Sequence, residues 1–217
     1  TNVAGPGYHA FVCDFFAAIV EVSPVALNVN DPTQYYTKRD FTHLKEDVFY
    51  RWLDDLADYI EKNADQYQSL CISWPMNYYK PKELAGYVVT PLGYIANEDF
   101  LHMDIHALAH RFFIWNEKDR GALYYRNAAL NLLWKECYYE YSNMNETTQR
   151  YADIILEMLE IAYHLEPKLP LPMEDYQHLC KVRGRAPKLE QGVSMSLDKR
   201  IGYRRDKVEM VLGNWGI

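Results

Sequence analysis

The sequence predicts an α+β fold that is predominantly α. Several long segments repeat apolar residues every three or four positions, while only short runs alternate apolar with polar residues. A length of 217 residues is enough for one large hydrophobic body. The expectation is about six helices packed as antiparallel hairpins, with a small sheet built from a strand near residue 70 and from C-terminal strands. Residues 1–182 are expected to form a mainly helical body, 183–199 a linker, and 200–217 a β hairpin docked on that body.

Each element has its own signal. Gly5-Pro6-Gly7 marks a tight entry, and the run from Tyr8 to Val22 places Phe11, Phe15, Ala18, Ile19 and Val22 at helical spacing, predicting a largely buried first helix. Asn30-Asp31-Pro32 reads as a loop, with Thr37 or Asp40 as the next cap. Phe41, Leu44, Val48, Trp52, Leu56 and Ile60 then line one side of a strongly amphipathic helix, and Lys45, Glu46, Asp54, Asp55, Asp58 and Glu61 the other. Gln68 to Trp74 alternates like a short strand until Pro75 stops it. Tyr78 to Tyr94, punctuated by prolines and glycines, reads as a connector containing a second strand at Tyr87-Val88-Val89.

A helix capped by Asn97 is predicted to run to Trp115, followed by helices over Gly121 to Tyr141 and Thr147 to Leu165. Pro167, Pro170 and Pro172 end the last of these, and Glu174 to Val182 is a short final helix. The segment Ala162-Tyr163-His164-Leu165-Glu166-Pro167 resembles the close of a tetratricopeptide repeat, a small residue followed five positions later by proline. The resemblance implies an antiparallel helical hairpin; no second copy follows at that repeat's period of about 34 residues. Beyond Lys199, Gly202 to Lys207 reads as a turn and Val208 to Leu212 as a strand needing a sheet partner, for which Leu70 to Trp74 is the candidate. A chain that starts without methionine and ends in a strand pattern fits a piece of a longer protein.

Composition narrows the function classes. No apolar stretch spans a bilayer, since Asp14 and Glu21 interrupt even the run from Ala10 to Val22. Net charge is −7 but uneven: residues 181–217 hold nine Lys or Arg against four Asp or Glu, leaving −12 for residues 1–180. An acidic body repels nucleic acid, and the basic tail is expected to dock on the chain's own acidic helix of Asp54, Asp55, Asp58 and Glu61. Cys13, Cys71, Cys137 and Cys180 lie far apart among apolar neighbours, which predicts buried free thiols and a cytoplasmic protein. With 19 Tyr and 5 Trp, some rings must sit at the surface, and the pairs Tyr35-Tyr36, Tyr78-Tyr79, Tyr124-Tyr125 and Tyr138-Tyr139 are expected to split between core and surface.

The pointed feature is a ladder. Glu98, His102, His106 and His110 recur at four-residue spacing on what reads as one helix, and an i, i+4 imidazole pair can hold a divalent transition metal. Three such positions span about 12 Å along a helix, so one ion takes a pair such as His102 and His106, with a further ligand from Glu98, His9, His43, His164 or His178. The plainer expectation is that Leu101, Ile105, Leu108, Phe112 and Phe113 pack inward while the imidazoles lie at the boundary. The His-Glu-x-x-His order of zinc proteases is absent. The first function expected is therefore a non-enzymatic protein-interaction module, acidic and aromatic-rich, whose partner is another protein. The alternative is a metal-dependent hydrolytic enzyme that uses the His102, His106 and His110 face, with Asp104 pointing away from the pair it separates.

Overall fold

A computed structural model describes residues 3–23, 26–63, 66, 69–72, 84–135, 145–189 and 192–195. It is mostly helical with one small sheet, as an α+β, mainly α, fold requires. The predicted strand and turn at 200–217, residues 68, 73 and 74 of the predicted strand near 70, and Cys137 lie outside the described residues.

The sheet divides the hydrophobic interior. Strands β1 (Leu70–Cys71), β2 (Tyr87–Thr90) and β3 (Gly93–Ala96) lie in that order, β1 parallel and β3 antiparallel to β2. Val88 pairs with Ile95 and Val89 with Tyr94. Successive strand residues point to opposite faces, so Val88 and Ile95 enter one core while Val89 and Tyr94 enter the other. Both faces of the hairpin are therefore buried, which is why its residues run apolar without alternation. Sequence reading assigns no strand at β3, because Pro91 and Gly93, at the end of the predicted Tyr78–Tyr94 connector, look like breakers. They instead make the turn, where Thr90 Oγ1 donates to the Gly93 carbonyl at 2.8 Å.

The first core gathers α1 (Pro6–Val22), α2 (Tyr35–Lys38), α3 (Phe41–His43), a π-helical segment (Leu44–Tyr50), α4 (Arg51–Lys62), α5 (Asn97–His102) and α6 (Ile105–Phe112). The π segment changes the predicted face. Leu44 and Phe49, five apart, are both buried with Tyr50 and Leu53, while Val48, Trp52 and Leu56 only pack partly against them. The second core is built by α7 (Ala122–Lys135), α8 (Glu146–Leu165) and α9 (Met173–Val182), with Leu133, Ile155, Leu156, Leu159 and Tyr176 fully enclosed. Asn145 caps α8 by accepting from the Thr148 N–H at 2.9 Å. Asn131 ties α7 to the hairpin turn by donating to the Pro91 carbonyl at 3.1 Å.

Residues 183–189 and 192–195 follow the second core closely. Arg183 pairs with Asp153, Arg185 and Lys188 both reach Glu160, Leu189 is buried, and Ser194 bridges Leu171. The described part of the basic tail thus meets acids of α8, whereas the acidic face of α4 keeps its own Lys62–Asp58 pair.

Candidate functional site

The ladder does not sit on one helix. Helix α5 ends at His102, Met103 is extended with ψ 142°, and Asp104 starts α6 by accepting from the N–H groups of His106 and Ala107. The expectation of a continuous helix from Asn97 to Trp115 is corrected on that account: an Asp side chain competes for backbone N–H groups and favours a cap over a helix interior. Ala96 rather than Asn97 occupies the cap position of α5, and the chain turns extended at Phe113.

Its members meet different neighbours. Glu98, His102 and His106 are exposed, and His110 is partly buried. The His106 ring stands edge-on to Tyr50 at 5.1 Å. His110 Nε2 lies 3.9 Å from Glu117, whose carboxylate accepts from Lys45 Nζ at 2.7 Å. Burial holds the His110 imidazole below the usual histidine range despite Glu117. Among the described residues, no group of three metal-ligating side chains includes a ladder residue.

A different trio converges where α1 meets the loop before α2. His9, Cys13 and Asp31 bring three donor atoms within 4.8 Å of one another. His9 and Cys13 stand one turn apart on α1, and Asp31 arrives from the loop already read around Asn30-Asp31-Pro32. His9 Nε2 lies 3.2 Å from Asp31 Oδ1 and 3.1 Å from Thr33 Oγ1, and Cys13 Sγ donates to Asp31 Oδ2 across 3.9 Å. Asp31 also accepts from the Thr33 hydroxyl and from the backbone N–H groups of Thr33 and Tyr36. Burial works against its charge, but these donors and His9 hold its carboxyl below the ordinary value. Burial, then the Asp31 charge, pushes the Cys13 thiol up to about 11. Nitrogen, sulfur and oxygen donors at these separations suit a tetrahedral transition ion, provided that the thiol gives up its proton. Sequence reading names His9 only as a spare ligand; the i, i+4 spacing of His9 and Cys13 was the available signal.

The larger departure concerns α1 itself. Only Pro6, Gly7, Ala10 and Cys13 of this helix are buried, whereas Phe11 is 42%, Phe15 54% and Val22 85% exposed, with Tyr8, Phe16 and Val20 also outward. The predicted buried helix is corrected to a half-exposed one. Apolar residues surround nearly its whole circumference, while the contacts it makes, chiefly with α2 and the π segment, cover one side.

Beside α1 this surface folds into an apolar groove of about 290 Å³, lined by Tyr8, Phe11, Ile114, Trp115, Tyr124 and Met158 among others. The Arg120 guanidinium carbon sits 4.9 Å from the centroids of both Phe11 and Trp115 and 5.5 Å from that of Tyr124. No carboxylate lies within 4.0 Å of Arg120 among the described residues. The groove's position is fixed by backbone contacts. Trp115 N–H donates to the Ala4 carbonyl at 2.9 Å, and Gly7 N–H to the Trp115 carbonyl at 3.0 Å. Gly5 has φ +105°, and a Cβ on Gly7 would stand 2.2 Å from the Glu117 carbonyl oxygen, so the Gly-Pro-Gly entry lets α1 seat on Trp115.

Cys13 and Cys180 are buried free thiols as expected, but Cys71, on the short strand β1, is exposed. No helix among the described residues is long and apolar enough to cross a membrane. Compared with protein-family models, curated proteins and solved structures, the chain matches none of them.

Proposed function

We propose that this protein is a non-enzymatic interaction module that binds another protein through the outward face of α1 and the adjoining Trp115 groove. The carrying observation is the exposed row Phe11, Phe15 and Phe16 on a helix whose opposite side alone is buried. Contiguous exposed aromatic residues cost solubility and mark contact surfaces when they are rimmed by polar groups. Arg120 specifies the partner's chemistry. Its charge rests on three rings and has no carboxylate partner among the described residues, so an apolar segment carrying an Asp or Glu next to its anchor residue complements it.

Selection of random displayed peptides on the protein tests this reading. The expected consensus has two apolar anchors and an acidic residue; Phe11→Ser weakens binding, and Arg120→Glu transfers preference to peptides with Lys in place of the acid. Enriched peptides without an acidic residue, or binding indifferent to both variants, would defeat the proposal. A concentration-dependent dimer dispersed by Phe15→Ser would reassign the face to a second copy of the chain.

A second reading, metal binding, is favoured by one observation, the His9, Cys13 and Asp31 trio. It places a structural ion at the base of α1 rather than a hydrolytic centre on the Glu98, His102, His106 and His110 residues. Metal analysis of untagged protein, with Cys13→Ser and His106→Ala in parallel, separates the two: loss in Cys13→Ser alone assigns the trio, and loss in His106→Ala alone restores the ladder.

A further inference from the structure

We propose a second binding site, for a small monocarboxylate with a compact apolar body, in the cavity between the β2–β3 hairpin and α7 that Arg126 lines. The cavity holds about 340 Å³, at the low end of the range for small-molecule sites. Its wall combines Leu92, Ile95, Leu130 and Met195 with the basic side chains of His110, Arg111 and Arg126. This site is separate from the α1 face and does not depend on it.

Arg126 carries the argument. Its side chain is partly buried, and its only described hydrogen bonds use Nε and Nη2, both to Asn127 Oδ1, at 3.1 and 2.9 Å. A guanidinium has five N–H groups, so three remain, including a parallel pair on the Nη1–Nη2 edge that matches the two oxygens of a carboxylate. No carboxylate of the described residues lies within 4.0 Å of it, although a desolvated guanidinium ordinarily finds one. Burial lowers its basicity, with only the more distant Glu166 opposing that. Asn127 is held in turn: it is buried, and its Nδ2 donates to the Phe113 carbonyl at 3.3 Å. Arg111 is already engaged, 3.6 Å from Asp99, and His110 faces Glu117. Among the described basic residues that line this cavity, Arg126 is thus the cation with unspent capacity.

The head group follows from charge. A second cavity of about 210 Å³ shares His110 and Asn127 with the first and is bordered by Glu117, Asp119 and Glu166. Those acids, in a chain of net charge −7, penalise a phosphate dianion more than a monoanion. The apolar wall disfavours a bare ion such as acetate, because Leu92, Leu130 and Met195 offer contact only to a hydrocarbon body.

Calorimetric titration of the full chain with hexanoate, acetate, hexanamide and inorganic phosphate tests the site. Hexanoate is expected to saturate one site and to bind at least about tenfold more tightly than the other three, since each lacks either the paired oxygens or the hydrocarbon. Arg126→Gln should weaken hexanoate by about tenfold or more, and Arg126→Lys, which keeps charge but loses the paired edge, by an intermediate factor. Circular dichroism reports whether each variant is folded; if Arg126→Gln is not, Arg126→Lys decides alone. Absence of saturable hexanoate binding, affinity unchanged in the folded variants, or phosphate binding as tightly as hexanoate would each overturn the proposal.

Discussion

Replacing Phe15 by alanine separates the two possible orientations of α1. A phenylalanine enclosed in a core costs about 3–5 kcal/mol when truncated to alanine, from lost transfer energy plus the cavity left behind. Phe15 is 54% exposed, and its ring contacts are with Phe11 at 6.5 Å and Phe16 at 6.0 Å, both on the same helix. Full burial of such a side chain is worth about 1.5–3 kcal/mol, so a little under half of it is worth about 1 kcal/mol. Alanine returns about 0.5 kcal/mol through its higher helix propensity. The expected net loss is therefore between about 0 and 1 kcal/mol, with no change in the denaturant slope. Leu159→Ala is the internal standard: Leu159 of α8 is fully enclosed in the second core, and its loss should cost about 2–5 kcal/mol. Urea unfolding followed by circular dichroism measures both. A loss above about 2.5 kcal/mol for Phe15→Ala would mean that the helix turns its aromatic row inward, and the proposed partner surface would go with it.

Other consequences are open to direct measurement. Asp31 and Glu160 have carboxyl groups lowered in the folded state; burial opposes this in both, but hydrogen bonds from Tyr36 and Thr33 to Asp31, and from Lys188, Arg185 and Tyr176 to Glu160, prevail. Each therefore contributes stability that is complete above its unfolded value of about 4 and is lost as pH falls through its lowered folded value. Asp31→Asn and Glu160→Gln should each flatten the acid limb of a stability-against-pH curve, and an unchanged limb would contradict the assignment. Gly7→Ala should cost about 1–3 kcal/mol and alter the Trp115 fluorescence, because the new methyl meets backbone at Glu117; a neutral result would mean that α1 does not seat there. In a Cys137→Ser background, mass spectrometry after a thiol reagent at pH 8 should find Cys71 modified first. Cys13, with its thiol near 11, is ionised in about one molecule per thousand and should lag far behind.

Secondary structure with strong local signals was legible in the chain alone. The apolar spacing of α8 and the proline stop after it specify that helix wherever it packs, and apolar spacing likewise marks α9 and most of α4. Helix breaks were less legible. The stretch from Asn97 to Phe113 has helical spacing throughout, and only the preference of Asp104 for a cap over an interior position hinted at the break that parts His102 from His106. Likewise the i+5 step from Leu44 to Phe49 and the Pro91–Gly93 turn are readable in hindsight, because several local conformations satisfy the same letters.

The site residues depended on the fold more than on any motif. An apolar helix gives no sign of which side lacks a partner, so α1 reads as core in sequence and is half in solvent once α2 and the π segment cover one flank. His9 and Cys13 meet Asp31, and Arg126 meets the hairpin, across separations that no spacing rule encodes. The class of fold, the acidic balance and the extents of α1, α8 and α9 could be read from the chain alone, since they depend on neighbours within a few positions. Which apolar face stays uncovered, and which charge lacks a partner among the described residues, emerged only on folding, because burial and electrostatic compensation are properties of groups that meet in space after the chain has closed on itself.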